Sequence, residues 1–185
     1  MESNKNPINE ILLEVKTRIK RGEIGAIKGI GGIHLVCLAD QDEIVLKLRN
    51  RKGERKNKPF ALMVPDLDII KDDFEISDVE KEILYSFRRP IVLLNKRKNR
   101  NTSKISEYVA PGLNNIGFML PYSGIHHLLF DYIGNIPLIY TSGNSSHIPM
   151  AIENYEIFKQ LDGIADFYLL HNRKIHQRAD DSVLS

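Results

Sequence analysis

The apolar residues at the start of the chain lie at helical spacing. They occur three or four positions apart, at Ile8, Ile11, Leu12, Val15 and Ile19. This spacing places them on one side of a helix, so it predicts an amphipathic helix over residues 8–21 that ends near Gly22.

Farther along, the apolar residues gather into short runs separated by polar and turn-forming residues. These runs predict strands at residues 24–30, 34–39, 60–64, 91–94, 116–120, 138–141 and 167–170. Helices are predicted around residues 125–132 and 153–161. Because strands and helices alternate, the chain is predicted to be an α/β domain with a largely covered, mixed sheet.

Capping residues predict the starts of two further helices. Asp40 is predicted to cap a helix that continues to about Arg49. The acidic segment 66–88 is predicted to be helical in two pieces, with Ser77 as the cap of the second. Three side chains of that second piece are expected to face the core: Val79, Ile83 and Leu84.

Composition describes an ordinary globular protein with segregated charge. The chain has 185 residues, 42% of them apolar, and a net charge of +2, which suits one domain with a substantial core. Residues 47–58 and 96–104 are basic, whereas residues 66–82 are acidic. A lone Cys37 in an apolar run excludes an internal disulfide and is interpreted as a buried hydrophobic residue. Without a signal-like or membrane-length apolar run, the expected location is cytoplasmic.

A basic segment leads directly into a predicted strand, in the sequence RKGERKNKPFALM at residues 51–63. Its cations are Arg51, Lys52, Arg55, Lys56 and Lys58. Two or three such groups are enough to hold a triphosphate or a nucleic-acid backbone. Taken by itself, the segment is more typical of a solvent-exposed loop, because such basic runs are common.

Two other segments have side chains or backbone suited to binding oxyanions. Thr141-Ser142-Gly143-Asn144 follows a strand, where α/β proteins hold ligands, although the same residues form ordinary turns. The glycines before His34 allow close backbone approach but lack the spacing of a Rossmann or Walker loop. His34 itself is either a ligand-binding or a structural residue.

Adjacent histidines and a late acidic pair complete the candidates. His126 and His127 point in different directions from a helix, so they do not form a metal-binding pair, although one could reach a pocket. Asp180 and Asp181 follow Arg178 in the sequence RADDS. That cluster could organise Mg²⁺ or a ribose, or it could be a salt-bridged loop.

In their order, these segments resemble the YrdC-like domain of HypF carbamoyltransferases. The resemblance runs from about residue 22 to the end and includes KGIGGIHL, RKGERKNKPFALM, GFMLPYSGIHHLL, PLIYTSGNSS and RADDSV. It implies a twisted α/β sheet, with helices on its faces and a concave basic cavity. The double histidine, KPFALM and DDSV favour the HypF branch over the threonylcarbamoyl-adenylate synthase branch.

The resemblance implies an activity in [NiFe]-hydrogenase maturation. Carbamate derived from carbamoyl phosphate would react with ATP, in the presence of Mg²⁺, to give carbamoyl-adenylate and pyrophosphate. The carbamoyl group would then pass to a HypE-like acceptor protein. Two alternatives remain within the wider family, namely binding of double-stranded RNA or tRNA and synthesis of threonylcarbamoyl-adenylate.

The resemblance also implies roles for individual residues. Lys52, Arg55 and Lys58 match the basic loop and are assigned to the triphosphate, whereas Arg51 and Lys56 are expected to point into water. Nucleotide or substrate binding is assigned to Ser142, Asn144, Thr141, Arg178 and His34, and no resident metal ligand is predicted.

Two features depart from the HypF pattern. The family has an acid where this chain has His147-Ile148. The chain is expected to be a single YrdC-like domain over residues 1–185, beginning with a helical segment at 1–21. The acylphosphatase, zinc-binding and kinase-like domains of full-length HypF are missing from it.

Overall fold

A computed structural model describes residues 7–53, 58–98, 104–143, 151, 153–175 and 181–184. The α-helices are α1 (Pro7–Lys20), α2 (Asp42–Lys52), α3 (Asp78–Tyr85), α4 (Gly124–Ile133) and α5 (Asn154–Leu161). The strands are β1 (Gly25–Lys28), β2 (Ile33–Leu38), β3 (Leu62–Met63), β4 (Ile91–Asn95), β5 (Asn115–Met119), β6 (Leu138–Ser142), β7 (Phe167–Leu169) and β8 (Val183–Leu184).

These strands form one mixed sheet in the order β7-β1-β2-β6-β3-β5-β4-β8. The pairs β1–β7, β3–β5 and β4–β8 are parallel, and the other neighbours are antiparallel. The predicted α/β class with a mixed sheet is therefore confirmed. The sheet brings β6, late in the chain, beside β2 and β3, which come early.

Burial on both faces explains why the central strands read as continuous apolar runs. Every residue of β2 is buried, and Cys37 within it has no exposed surface. Burial raises the pKa of the Cys37 thiol to about 12, so the group stays neutral near pH 7. The interpretation of Cys37 as a buried hydrophobic residue is confirmed.

Helix α3 begins as its sequence predicts. The Ser77 hydroxyl accepts a hydrogen bond from the Glu80 N–H, and the Glu80 carboxylate accepts one from the Ser77 N–H. The expectation that Val79 faces the core is wrong, because its side chain is 66% exposed. Leu84 provides the buried contact of this helix.

Helix α2 differs from the prediction at both ends. Its N-cap is Gln41 rather than Asp40, and the helix continues to Lys52. Arg51 and Lys52 therefore belong to the last helical turn instead of a loop. Cations are favourable there because they lie at the negative end of the helix dipole.

No helix in the described ranges is both long enough and apolar enough to cross a membrane.

Candidate functional site

A cavity of about 410 Å³ lies over one face of the sheet, within the size range of ligand pockets. Its lining includes Ala61 and Gly117 below and Thr141, Ser142 and Asp181 at its polar side. Gly117 helps keep the floor open, because a Cβ atom there would lie 2.7 Å from Ile91 Cγ2. The cavity therefore combines an apolar floor with a polar wall at the end of β6.

Lys52 is hydrogen-bonded to the polar wall of the cavity. Its Nζ donates a hydrogen bond of 2.7 Å to the carbonyl oxygen of Ser142, and these residues end α2 and β6 respectively. Thr141 and Ser142 line the cavity, whereas Lys58 is exposed just before it, ahead of Pro59. The structure thus brings together Lys52, Thr141 and Ser142, which are far apart in sequence.

Three of the assigned residues, Arg55, Asn144 and Arg178, lie outside the described residues. The same holds for Lys56 and for His147-Ile148. Their assignments remain predictions.

A buried arginine that the sequence analysis missed holds the start of β3. Arg49 is only 6% exposed and donates hydrogen bonds to the carbonyl oxygens of Tyr108, Lys58 and Val109. Its guanidinium lies 4.6 Å from the centre of the Phe60 ring. The sequence signal for this burial is helical spacing, because Arg49 lies four residues after Val45 and therefore on the same, buried side of α2.

Arg51 does not point into water, and that expectation is wrong. Its guanidinium donates to Asp166 Oδ1 at 2.7 Å and to the carbonyl of Ile164. Lys47 binds the other carboxylate oxygen at 2.8 Å. Although burial alone would raise the pKa of Asp166, these cations and a backbone N–H hold it below its usual value. The Arg51 side chain therefore has a structural role.

A group of aromatic and polar side chains, each buried or half-buried, lies beside the cavity, and we call it the ring cluster. Its members are His34, Tyr122, His126, Tyr140 and Asp181. His34 Nε2 lies 3.2 Å from Asp181 Oδ2, and the Tyr122 hydroxyl also bonds that carboxylate. Burial alone would raise the pKa of Asp181, but the hydrogen bond from His34 helps hold it below its ordinary value.

Of the two adjacent histidines, His126 faces inward and His127 is exposed. Burial lowers the pKa of His126 to about 3, so its imidazole is neutral at pH 7. The Tyr122 N–H donates to His126 Nδ1, which leaves the ring hydrogen on Nε2.

This buried histidine predicts a loss of stability in acid. The unfolded chain binds a proton at His126 below about pH 6.5, whereas the folded chain does so only near pH 3. The stabilising contribution is therefore complete above pH 6.5 and falls by up to about 1.4 kcal/mol per pH unit as the pH drops through that window.

Urea unfolding between pH 4 and 7 measures this contribution. The slope of unfolding free energy against pH should be smaller in His126→Phe and unchanged in His127→Phe. A wild-type slope in His126→Phe would contradict the assignment.

Gly143 allows the backbone after β6 to approach β2. Its N–H donates to the Ile33 carbonyl at 2.7 Å, and an added Cβ would lie 2.9 Å from that oxygen.

We expect Gly143→Ala to lose about 1–3 kcal/mol of unfolding free energy in urea, because backbone atoms must move. Gly124→Ala is the control, since nothing lies within 4 Å of its added Cβ. Equal stability of the two variants would contradict this.

Within the described ranges, no group of three or more histidine, cysteine, aspartate or glutamate side chains could hold a metal ion. The site therefore consists of a cation, hydroxyl groups and the ring cluster around a partly apolar cavity. Such a site can bind a phosphorylated ligand and hold a small polar group beside it.

The chain belongs to the Sua5/YciO/YrdC family. The family model, described as telomere recombination, matches residues 17–185. The chain is 46% identical over 176 residues to a probable carbamoyltransferase HypF of Methanocaldococcus jannaschii, a match that covers 95% of this chain and 22% of the relative.

Solved structures agree with this assignment. A full-length HypF in its phosphate- and nucleotide-bound form matches with a TM-score of 0.86 and 45% identity, over 93% of this chain and 26% of that one. A P. abyssi Sua5 complexed with L-threonine shares the fold with a TM-score of 0.71 at 16% identity, over 85% of this chain and 45% of that one. The chain thus spans about a fifth to a quarter of the length of the HypF proteins that it matches.

Proposed function

We propose that this chain binds ATP and joins it to carbamate, forming carbamoyl-adenylate and pyrophosphate. The observation that best supports this is the cavity lined by Ser142, with Lys52 hydrogen-bonded to the Ser142 carbonyl at the end of β6. The similarity to HypF carbamoyltransferases, including a nucleotide-bound one, supports the choice of ligand and acyl group.

Charge neutralisation is the main task of the proposed site. ATP carries about four negative charges, and one cation at 4 Å contributes about 4 kcal/mol at an effective dielectric constant of 20. Lys52 would hold the phosphates directly, together with Lys58 and Arg55. Ser142, Thr141 and Asn144 would bind phosphate and acyl oxygens, and Arg178 would close the pocket.

The reaction needs no protein nucleophile. A carbamate oxygen attacks the α-phosphorus, a new P–O bond forms, and the bond from that phosphorus to the bridging oxygen breaks. Pyrophosphate leaves with the electron pair, and no proton transfer is required. The protein positions the two anions and stabilises charge on the departing pyrophosphate.

Mg²⁺ is proposed to enter as part of the nucleotide. This ion is commonly bound through substrate phosphates with few protein ligands. The release of carbamate from carbamoyl phosphate and the transfer to a HypE-like acceptor are proposed for the longer HypF-type protein rather than for this segment.

Binding of double-stranded RNA is the weaker alternative. Two basic stretches, residues 47–58 and 96–104, suggest it. In the first stretch, however, Lys47, Arg49 and Arg51 bind groups within the protein. These side chains are therefore poorly placed to follow a phosphate backbone.

Calorimetric titration separates the two functions. We expect Mg-ATP to bind with a one-to-one stoichiometry, and a 20-base-pair RNA duplex to bind weakly at physiological salt. No heat with Mg-ATP, together with RNA affinity that falls steeply with salt, would overturn the proposal.

A further inference from the structure

Three buried polar atoms of the ring cluster have no hydrogen-bond partner among the described residues. They are the Tyr140 hydroxyl, His126 Nε2 and His34 Nδ1, and their side chains are 1%, 0% and 6–7% exposed. Leaving such a group unpaired costs about 1–3 kcal/mol, and native proteins rarely do so. Three together therefore call for an explanation.

The three unpaired atoms belong to rings that pack together. The His34 and Tyr140 ring centres are 4.9 Å apart, and those of His126 and Tyr140 are 5.1 Å apart. Tyr140 and Asp181 also line the cavity, next to Thr141 and Ser142. The cluster is thus continuous with the wall proposed to hold the nucleotide.

The hydrogen-bonding roles of these atoms can be assigned from their neighbours. His126 Nδ1 accepts from a backbone N–H, so its Nε2 carries a hydrogen and is a donor. His34 Nε2 faces the Asp181 carboxylate, so it donates, and in the tautomer with its hydrogen on Nε2 the other nitrogen, Nδ1, is an acceptor. The Tyr140 hydroxyl can do either. Together they offer a donor, an acceptor and a hydroxyl group.

We propose that the ring cluster binds the acyl end of the substrate and selects a small planar group with an NH₂ donor beside a carbonyl acceptor. His34 Nδ1 would accept from the NH₂ group, while His126 Nε2 and the Tyr140 hydroxyl would donate to the carbonyl oxygen. This inference rests on the proposed adenylation and names the groups that recognise its second substrate.

Size and polarity both contribute to this selection. The rings of Tyr122, His126 and Tyr140 pack against one another, at 4.4 Å and 5.1 Å between centres. Because these rings already lie in contact, we expect a carbamate bearing an amino-acid side chain to be excluded. Acetate has no NH₂ group, so it leaves His34 Nδ1 unpaired, and an unmatched buried polar group is strongly discriminated against.

Entry of the substrate requires the cover of the cluster to move. Asp181 forms part of that cover and lies two residues before β8. This strand is only two residues long and is exposed at the edge of the sheet. We place the movement in this short segment rather than in the helices.

The test uses Tyr140→Phe, which removes only the unpaired hydroxyl. The assay is exchange of labelled pyrophosphate into ATP with ammonium carbamate as the second substrate. We expect the KM for carbamate to rise at least about tenfold, with a change in Mg-ATP affinity of less than about twofold. Tyr168→Phe on β7, outside the ring cluster, is the matched control and should behave as wild type.

A stability measurement distinguishes this role from a structural one. Because the hydroxyl is unpaired without ligand, Tyr140→Phe should unfold at the same temperature as wild type or at a higher one. A structural hydroxyl would instead lower the unfolding temperature while leaving the KM for carbamate unchanged, which would overturn the inference.

The outcomes also separate this inference from the function on which it rests. Wild-type protein that binds Mg-ATP and exchanges pyrophosphate equally well with carbamate, acetate or threonine plus bicarbonate would overturn the inference alone. Wild-type protein that binds no Mg-ATP would overturn the proposed function as well.

Discussion

Lys52→Ala is expected to bind Mg-ATP roughly 100-fold more weakly than wild type, a loss of about 3 kcal/mol. The Lys52 ammonium lies 2.7 Å from the Ser142 carbonyl, so its charge is held at the end of β6, where the phosphates are proposed to bind. Among the lysines in the described residues, Lys52 alone has a hydrogen bond to Ser142. Calorimetric titration measures the change.

Lys81→Ala is the matched control for that substitution. Lys81 is exposed on α3 and does not line the cavity, so its loss should leave nucleotide affinity unchanged. If both variants bind Mg-ATP as wild type does, Lys52 is not part of the phosphate site. Equal weakening in both would show that only the overall charge matters.

Arg49→Met is expected to lower the unfolding free energy by about 3 kcal/mol and to weaken Mg-ATP binding as well. Methionine preserves much of the length of the side chain but removes the guanidinium that donates to the carbonyls of Tyr108, Lys58 and Val109. The Val109 carbonyl keeps its hydrogen bond from the Phe60 N–H. Because Arg49 holds Lys58 and Phe60 in place, the segment leading into β3 should loosen. Urea unfolding and calorimetry measure the two effects.

Arg18→Met is the control for Arg49. Arg18 forms solvent-accessible ion pairs with Glu14 and Glu23, and such pairs contribute little to stability. A stability loss in Arg49→Met no greater than that in Arg18→Met would show that the buried guanidinium has no special structural role.

Much of the fold was predictable from local patterns. The β2 and β6 strands were recognisable because most of their residues are apolar and buried, as in strands covered on both faces. Ser77 was identified correctly because a capping box is a local signal. Val79 was misassigned because helical spacing alone does not say which apolar side chain of a short helix reaches the core.

The candidate site was less predictable because its contacts join distant parts of the chain. The bond from Lys52 to Ser142 spans 90 residues, and that from His34 to Asp181 spans 147. Arg51 looked like a solvent-exposed cation only because its partner, Asp166, is 115 residues away. Charge patterns identify residues that could bind an anion, but only the three-dimensional contacts show which are already paired.

The central claim is that this chain activates carbamate with ATP. Exchange of labelled pyrophosphate into ATP tests it most directly, because exchange requires a reversible attack on the α-phosphorus. With purified chain and Mg-ATP, we expect exchange that depends on ammonium carbamate, is absent without it, and is lost in Lys52→Ala but kept in Lys81→Ala. Binding of Mg-ATP without carbamate-dependent exchange, or exchange supported only by threonine with bicarbonate, would contradict the claim.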